Sequence, residues 1–297
     1  MILIKQALVA VDLSKMDDQL LSYSDQFSSL LNLDKIHFVH VIPNFLGRPE
    51  ISFAEDNSVA TAIDDRVKTL IQKKIKQQFS NDEKNPDLVV DVLEGSPYDK
   101  ILNYTNDKEV DLLITGHKKK SEASGLTARR IAQQAGCHVL FVTEKAKAVP
   151  DKILVPIDFS KNSANALQAA LNFKKIIPEI EITAVKVIQM LPVDYHLDFN
   201  TNPVYKEAFL VKTQKEYISF IKKYEIAEEA LDIVFLENMN FNAARQIHNY
   251  AIDKNFDLVI MGAKGHSTFE NFLYGSVTEL LVDLCEDIPV FVVRNGD

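Results

Sequence analysis

The chain has 297 residues, 46% of them hydrophobic and 25% charged, enough for two ordinary domains and unlike a disordered chain. A formal net charge of -9 argues against a nucleic-acid-binding surface, and no apolar run approaches the length of a membrane span. Two cysteines, Cys137 and Cys285, cannot make a disulfide framework. Each precedes a predicted strand and reads as a small buried thiol. The first residues run straight into a strand, without the charged and then apolar pattern of a signal peptide, so the expected location is the cytoplasm.

In chain order, the apolar pattern predicts a strand at 3–12 and a helix near 16–32. A strand at 35–42 leads through a loop with proline, glycine and asparagine to a long helix near 58–79. In that helix Ile63, Val67, Leu70, Ile71 and Ile75 form one stripe, and Lys68, Lys73, Lys74, Lys76 and Gln77 read as a solvated face. A strand near 88–94 precedes a helix near 97–108. A strand at 110–116 precedes a charged loop, a helix near 125–136 and a closing strand, 138–142. A short polar linker, 144–151, follows. The second half predicts strands at 152–158, 180–188, 231–237, 257–262 and 289–293. Its helices fall at 161–176, 204–225, 241–254 and 276–285.

The two halves are copies. Asp12 and Asp158 stand 146 positions apart, and the same offset relates Phe38–Val41 to Ala184–Val187. It also relates Asn103–Tyr104 to Asn249–Tyr250, and Asp111–Gly116 to Asp257–Gly262. An offset held across four elements marks a duplicated domain. Short apolar runs alternating with amphipathic stretches imply parallel strands with helices on both faces and right-handed crossovers.

The copies differ after the fourth strand. In the second, Leu258–Met261 leads into Gly262-Ala-Lys264-Gly265-His266, and Gly275-Ser276-Val277 opens the last helix. A strand that runs into a glycine loop and a helix is a common anion cradle, because glycine lets the backbone approach and first-turn N–H groups point at the ligand. Bland readings stand beside it. Ser276 with Glu279 spells a capping box, Gly262 ends a strand, and Gly265 supplies a positive-φ turn. From Gly262 to Pro289 is 27 positions; from Gly116 to His138 is 22, so the first copy lacks five. Lys119 stands where Gly265 would, no Gly-Ser pair opens the helix, and Lys118, Lys119 and Lys120 read as solvated surface.

The glycine spacing, with Val155-Pro156-Ile157-Asp158-Phe159-Ser160, Asp257–Gly262 and Pro289–Val293, resembles the universal stress protein family. Val9–Ser14, Glu94–Pro97 and Asp111–Gly116 carry the likeness in the first half. It covers the whole chain as two tandem copies, 1–146 and 150–297. The resemblance implies two open five-stranded parallel α/β domains, Rossmann-like, packed as a pseudo-dimer through their final strands. A further homo-oligomer stays open.

The family also implies an adenine-nucleotide site in the second half, for ATP, ADP or AMP, with Mg2+ or Mn2+ accompanying the phosphates. Its residues would be Pro156, Asp158, Val187, Met261, Gly262, Lys264, Gly265, His266, Gly275, Ser276 and Val277. Asp158 would face the adenosine, Val187 would wall the adenine, and the glycines with Ser276 would hold the phosphates. Asp158 also reads as a turn or cap residue, the favoured reading for Asp12. A stress-associated regulatory protein that binds a nucleotide is the leading expectation, with protein partners unspecified. A slow ATPase or phosphotransferase is an alternative that nothing in the sequence requires, since no Walker lysine–serine pair follows the glycines. An interaction scaffold is the third. The histidines show no paired metal-ligand spacing, so no structural metal is expected.

Overall fold

The structure, a computed structural model, describes residues 4–43, 57–79, 86–117, 123–189, 203–238, 242–265 and 274–294. The chain divides into two compact units that part between Val149 and Pro150.

The first unit runs β1 Gln6–Ala10, α1 Met16–Leu31, β2 Lys35–Ile42, α2 Asn57–Gln78 and β3 Asp87–Glu94. It continues with α3 Pro97–Asp107, β4 Leu112–Gly116, α4 Ala123–Gln134 and β5 His138–Val142. Its strands are parallel, in the order β3-β2-β1-β4-β5.

The second unit runs β6 Lys152–Pro156, α5 Lys161–Ile176, β7 Glu181–Gln189, α6 Pro203–Lys223 and β8 Asp232–Asn238. It ends with α7 Ala243–Asp253, β9 Leu258–Gly262, α8 Ser276–Leu284 and β10 Val290–Val293. These strands are parallel too, in the order β8-β7-β6-β9-β10. In both units the order reverses beside the first strand. That places a crevice at the carboxyl ends of β1 and β4, and of β6 and β9.

The central strands are buried on both faces, as parallel sheets require. Ala7, Leu8 and Val9 are fully covered, as are Ile153, Leu154 and Val155. The long-helix stripe holds for Ile71 and Ile75 and extends to Phe79, but Leu70 is 45% exposed. Residues 67, 71, 75 and 79 recur every fourth position, and Leu70 falls about 100° from Ile71, off that line. Lys74, read as solvated, reaches Asp18 at 2.8 Å. Cys285 is buried, which pushes its thiol up to about 12; Cys137 is half-exposed.

The duplicated aspartates before β4 and β9 have a structural task. Asp111 Oδ2 accepts N–H bonds from Lys5 and Gln6 at 2.8 and 2.9 Å. Asp257 Oδ2 accepts from Asp151 and Lys152 at 2.9 and 3.0 Å. Each carboxylate ties the start of one central strand to its neighbour. Asp257→Ala is expected to cost about 1.5–3 kcal/mol, the range for a hydrogen bond to a charged group. Urea unfolding followed by hydrogen exchange in the second unit checks it.

The first unit buries a polar chain at Tyr104. Tyr104 Oη donates to Asp91 Oδ2 and lies 2.9 Å from His37 Nδ1. The phenol has one hydrogen and gives it to Asp91, so His37 Nδ1 carries its own hydrogen toward Oη. Burial, then the Lys35 charge, pushes the His37 pKa below its ordinary value, against the pull of Asp91. The unfolded chain therefore binds this proton more readily. The contribution to stability is complete above the ordinary value of 6.5 and is lost as pH falls from there toward the folded value. The urea midpoint is expected to fall between about pH 7.5 and 5.5, a window set around the ordinary histidine value. The slope should be shallower in His37→Gln.

Candidate functional site

The strands open at different points in the two units. β1 and β4 stay paired for four positions, from Ala7↔Leu112 to Ala10↔Thr115. β6 and β9 pair at two, Ile153↔Leu258 and Leu154↔Val259, and then part. Pro156, at the position of Ala10, has no N–H to give a neighbouring strand. The opening is a cleft of about 260 Å³ at the carboxyl ends of β6, β7 and β9, roofed by the first turn of α8.

Ten of the eleven residues expected from the sequence line this cleft: Pro156, Asp158, Val187, Met261, Gly262, Lys264, Gly265, Gly275, Ser276 and Val277. His266, like Lys119 in the first half, lies outside the described residues. Sequence reasoning missed Ile157, Ser163, Val185, Lys186, Ala243, Ile247 and Thr278. Ala243 and Ile247, one turn apart on α7, carried a helical-face signal. Ser163 and Thr278 stand in the first turns of helices that follow cleft strands.

Each glycine has its own reason. A Cβ on Gly262 would meet the backbone C and O of Asn162 at 2.9 Å, so glycine is needed for α5 to lie on the strand end. A Cβ on Gly265 would overlap the Asp158 carboxylate oxygen. A Cβ on Gly275 would come no closer than 3.6 Å to Lys264 Cα. The positive-φ reading of Gly265 fails: among the described glycines only Gly95 has positive φ, at 131°. Close approach, not a left-handed turn, is what position 265 requires.

The capping box is also corrected. Gly275 is the N-cap of α8, Ser276 is its first residue, and no side chain caps it. The helix starts one residue earlier than a Ser276 cap would need. In the same unit, α5 and α7 are capped by Ser160 and Asn242 side chains accepting from Ser163 N and Arg245 N. The first-turn N–H groups of any helix lack intrahelical acceptors, and in α8 the N-cap residue has no side chain to cover them. Gly275 spends its own N–H on Ala263 O at 2.8 Å. Thr278 Oγ1 donates to Gly262 O at 3.1 Å and pins the helix over the strand end.

Asp158 makes the expected turn. Its Oδ1 accepts the Ser160 N–H at 3.0 Å, an Asx turn that leads into α5, while Oδ2 lies against Gly265. Asp12 makes the same turn, accepting from Ser14 N at 3.1 Å. The next residues, Phe159 and Leu13, both take positive φ, 71° and 63°, an uncommon conformation for residues of their size. Phe159 thereby brings its ring beneath Lys186, whose Nζ lies 4.7 Å from the ring centroid. Burial lowers the Lys186 pKa, and Asp158 and then Glu216 oppose the shift.

The sequence matches the universal stress protein family over residues 4–143 and again over 150–294. The chain belongs to this family.

It is 29% identical over 143 residues to universal stress protein MJ0531 of Methanocaldococcus jannaschii, a match spanning 48% of this chain and 81% of that protein. It is 30% identical over 156 residues to universal stress protein YxiE of Bacillus subtilis, spanning 48% and 99%. Among solved structures, a universal stress protein from Archaeoglobus fulgidus has the same fold. The TM-score is 0.65 at 18% identity, with 98% of this chain and 97% of that chain covered. A Pseudomonas aeruginosa protein, PA1789, gives 0.62 at 16% identity over 98% and 92%. As a universal stress protein the chain carries two family domains, and among the described residues no helix is long and apolar enough to cross a membrane.

Proposed function

We propose that the second-unit cleft binds an adenine nucleotide and that the chain is a stress-response regulatory protein governed by that nucleotide. The observation that carries the reading is the convergence of ten motif residues on one crevice beneath a helix start that no side chain caps. Anions are favoured at such a start by the helix dipole and by unpaired N–H groups. Phosphates would lie along Gly265 and the first turn of α8, with Lys264 and Lys186 supplying positive charge. The base would lie between the apolar side chains of Val185, Val187 and Ile247. Asp158, an acceptor when ionised, would take ribose hydroxyls. It is the one carboxylate among the described lining residues, so a divalent cation would be held mainly by the phosphates.

Calorimetry with ATP is expected to give one site per chain, and nucleotide should appear in the small molecules released on denaturing the purified protein. Two equal ATP sites, or no heat at any ATP concentration tried, would count against the reading. Binding DNA at physiological salt would count against the expectation drawn from the net charge of -9.

A further inference from the structure

The first unit has a smaller cleft at the same place, about 160 Å³. Its Val39, Val41 and Ile101 precede Val185, Val187 and Ile247 of the larger cleft by 146 positions, and Asp12 so precedes Asp158. The strand-lined end is thus built twice. The end beneath the last helix is not. Met16 stands at the position of Asn162, with its Cγ 3.0 Å from where a Cβ on Gly116 would be. Asp17 stands at the position of Ser163. Only 2% exposed, it accepts the Asp12 N–H at 3.2 Å.

We propose that this first-unit cleft is a second ligand site, for an uncharged purine nucleoside rather than a nucleotide. Val39, Val41 and Ile101 offer aliphatic faces to a flat ring, and the volume suits a ring system better than a nucleotide with its phosphates. Asp12 provides an acceptor for ribose hydroxyls, and Thr115, at the position of Met261, adds a hydroxyl that both donates and accepts. A phosphate beside Asp12 and Asp17 would add negative charge to two carboxylates in a partly dehydrated space, where like charges repel more strongly than in water. Burial and then the neighbouring Asp12 already raise the Asp17 pKa, against the backbone N–H bonds that lower it. The ligand class rests on the nucleotide reading of the larger cleft, through the shared strand walls.

The two clefts each contain one methionine, Met16 in the first and Met261 in the second, of five in the chain. Methyl-13C methionine spectra of the full chain therefore report on each separately, once Met16→Leu and Met261→Leu identify the signals. Saturating ATP is expected to move Met261 and leave Met16 in place. Adenosine added to the ATP-loaded protein is expected to move Met16 saturably, and Val41→Trp, which fills the cleft, should remove that response. A Met16 signal that stays put up to the solubility limit of adenosine overturns the proposal. So does a Met16 signal that ATP moves as far as Met261, or one that still responds in a folded Val41→Trp chain. If ATP leaves Met261 unmoved while adenosine moves Met16, the nucleotide reading of the second cleft fails and the first-unit site stands.

Discussion

Gly265→Val is expected to abolish measurable ATP binding while leaving the thermal midpoint nearly unchanged. A Cβ at this position meets Asp158 Oδ2, the far end of a side chain that can shift where backbone could not, and the bond at risk is the one Asp158 takes from Ser160 N–H, about 0.5–1.5 kcal/mol. The added methyls would then stand between the loop backbone and the phosphates. Losing two charge-assisted hydrogen bonds, at roughly 1.5–3 kcal/mol each, weakens binding by about two to four powers of ten. Calorimetry reads the affinity and a melting curve reads the fold. Undiminished ATP binding by a folded Gly265→Val chain would mean that the loop backbone does not approach the anion. Gly275→Ala is the milder counterpart, because its Cβ meets nothing closer than 3.6 Å. Any loss there would come from the ligand side of the contact alone.

Gly262→Ala should act on stability instead. Its Cβ would meet Asn162 backbone atoms at 2.9 Å, and backbone in the first turn of α5 cannot rotate away as a side chain can. Overpacking of this kind costs about 1–3 kcal/mol. The equivalent Gly116→Ala meets Met16 Cγ at 3.0 Å, the middle of a flexible side chain, and should cost less than about 1 kcal/mol. Hydrogen exchange would place the first loss at β9 and α5 and show little change at β4. Equal costs at the two positions would contradict the packing difference between the units.

Most element bounds were legible because each strand is a short apolar run and each helix shows a 3.6-residue stripe; Leu70 strayed because stripe membership depends on about 100° of rotation. The glycine loop was legible from spacing, and its described residues Gly262, Lys264, Gly265, Gly275 and Ser276 line one cleft. The reasons for the glycines were not. A left-handed turn and a close approach both call for glycine, and only the positions of Asn162 and Asp158 separate them. The cap of α8 depended on a one-residue boundary that Ser276 and Glu279 do not decide. Lys186 was hidden because strand alternation places it opposite Val185 and Val187; its reach to the cleft depends on the backbone at Phe159. The early parting of β6 and β9 is a matter of register, to which Pro156 was a faint pointer.

The pairing of Asp12 with Asp158, and of Met16 with Asn162, has a consequence for how such a protein changes over generations. Where identical subunits each supply one cleft, every inherited substitution alters all clefts at once. Here the clefts are encoded by separate codons, so a change at position 17 leaves position 163 untouched. One copy can keep its glycine loop while the other drifts toward a different chemistry. Two signals can then be read by a single gene product at a fixed ratio of one to one.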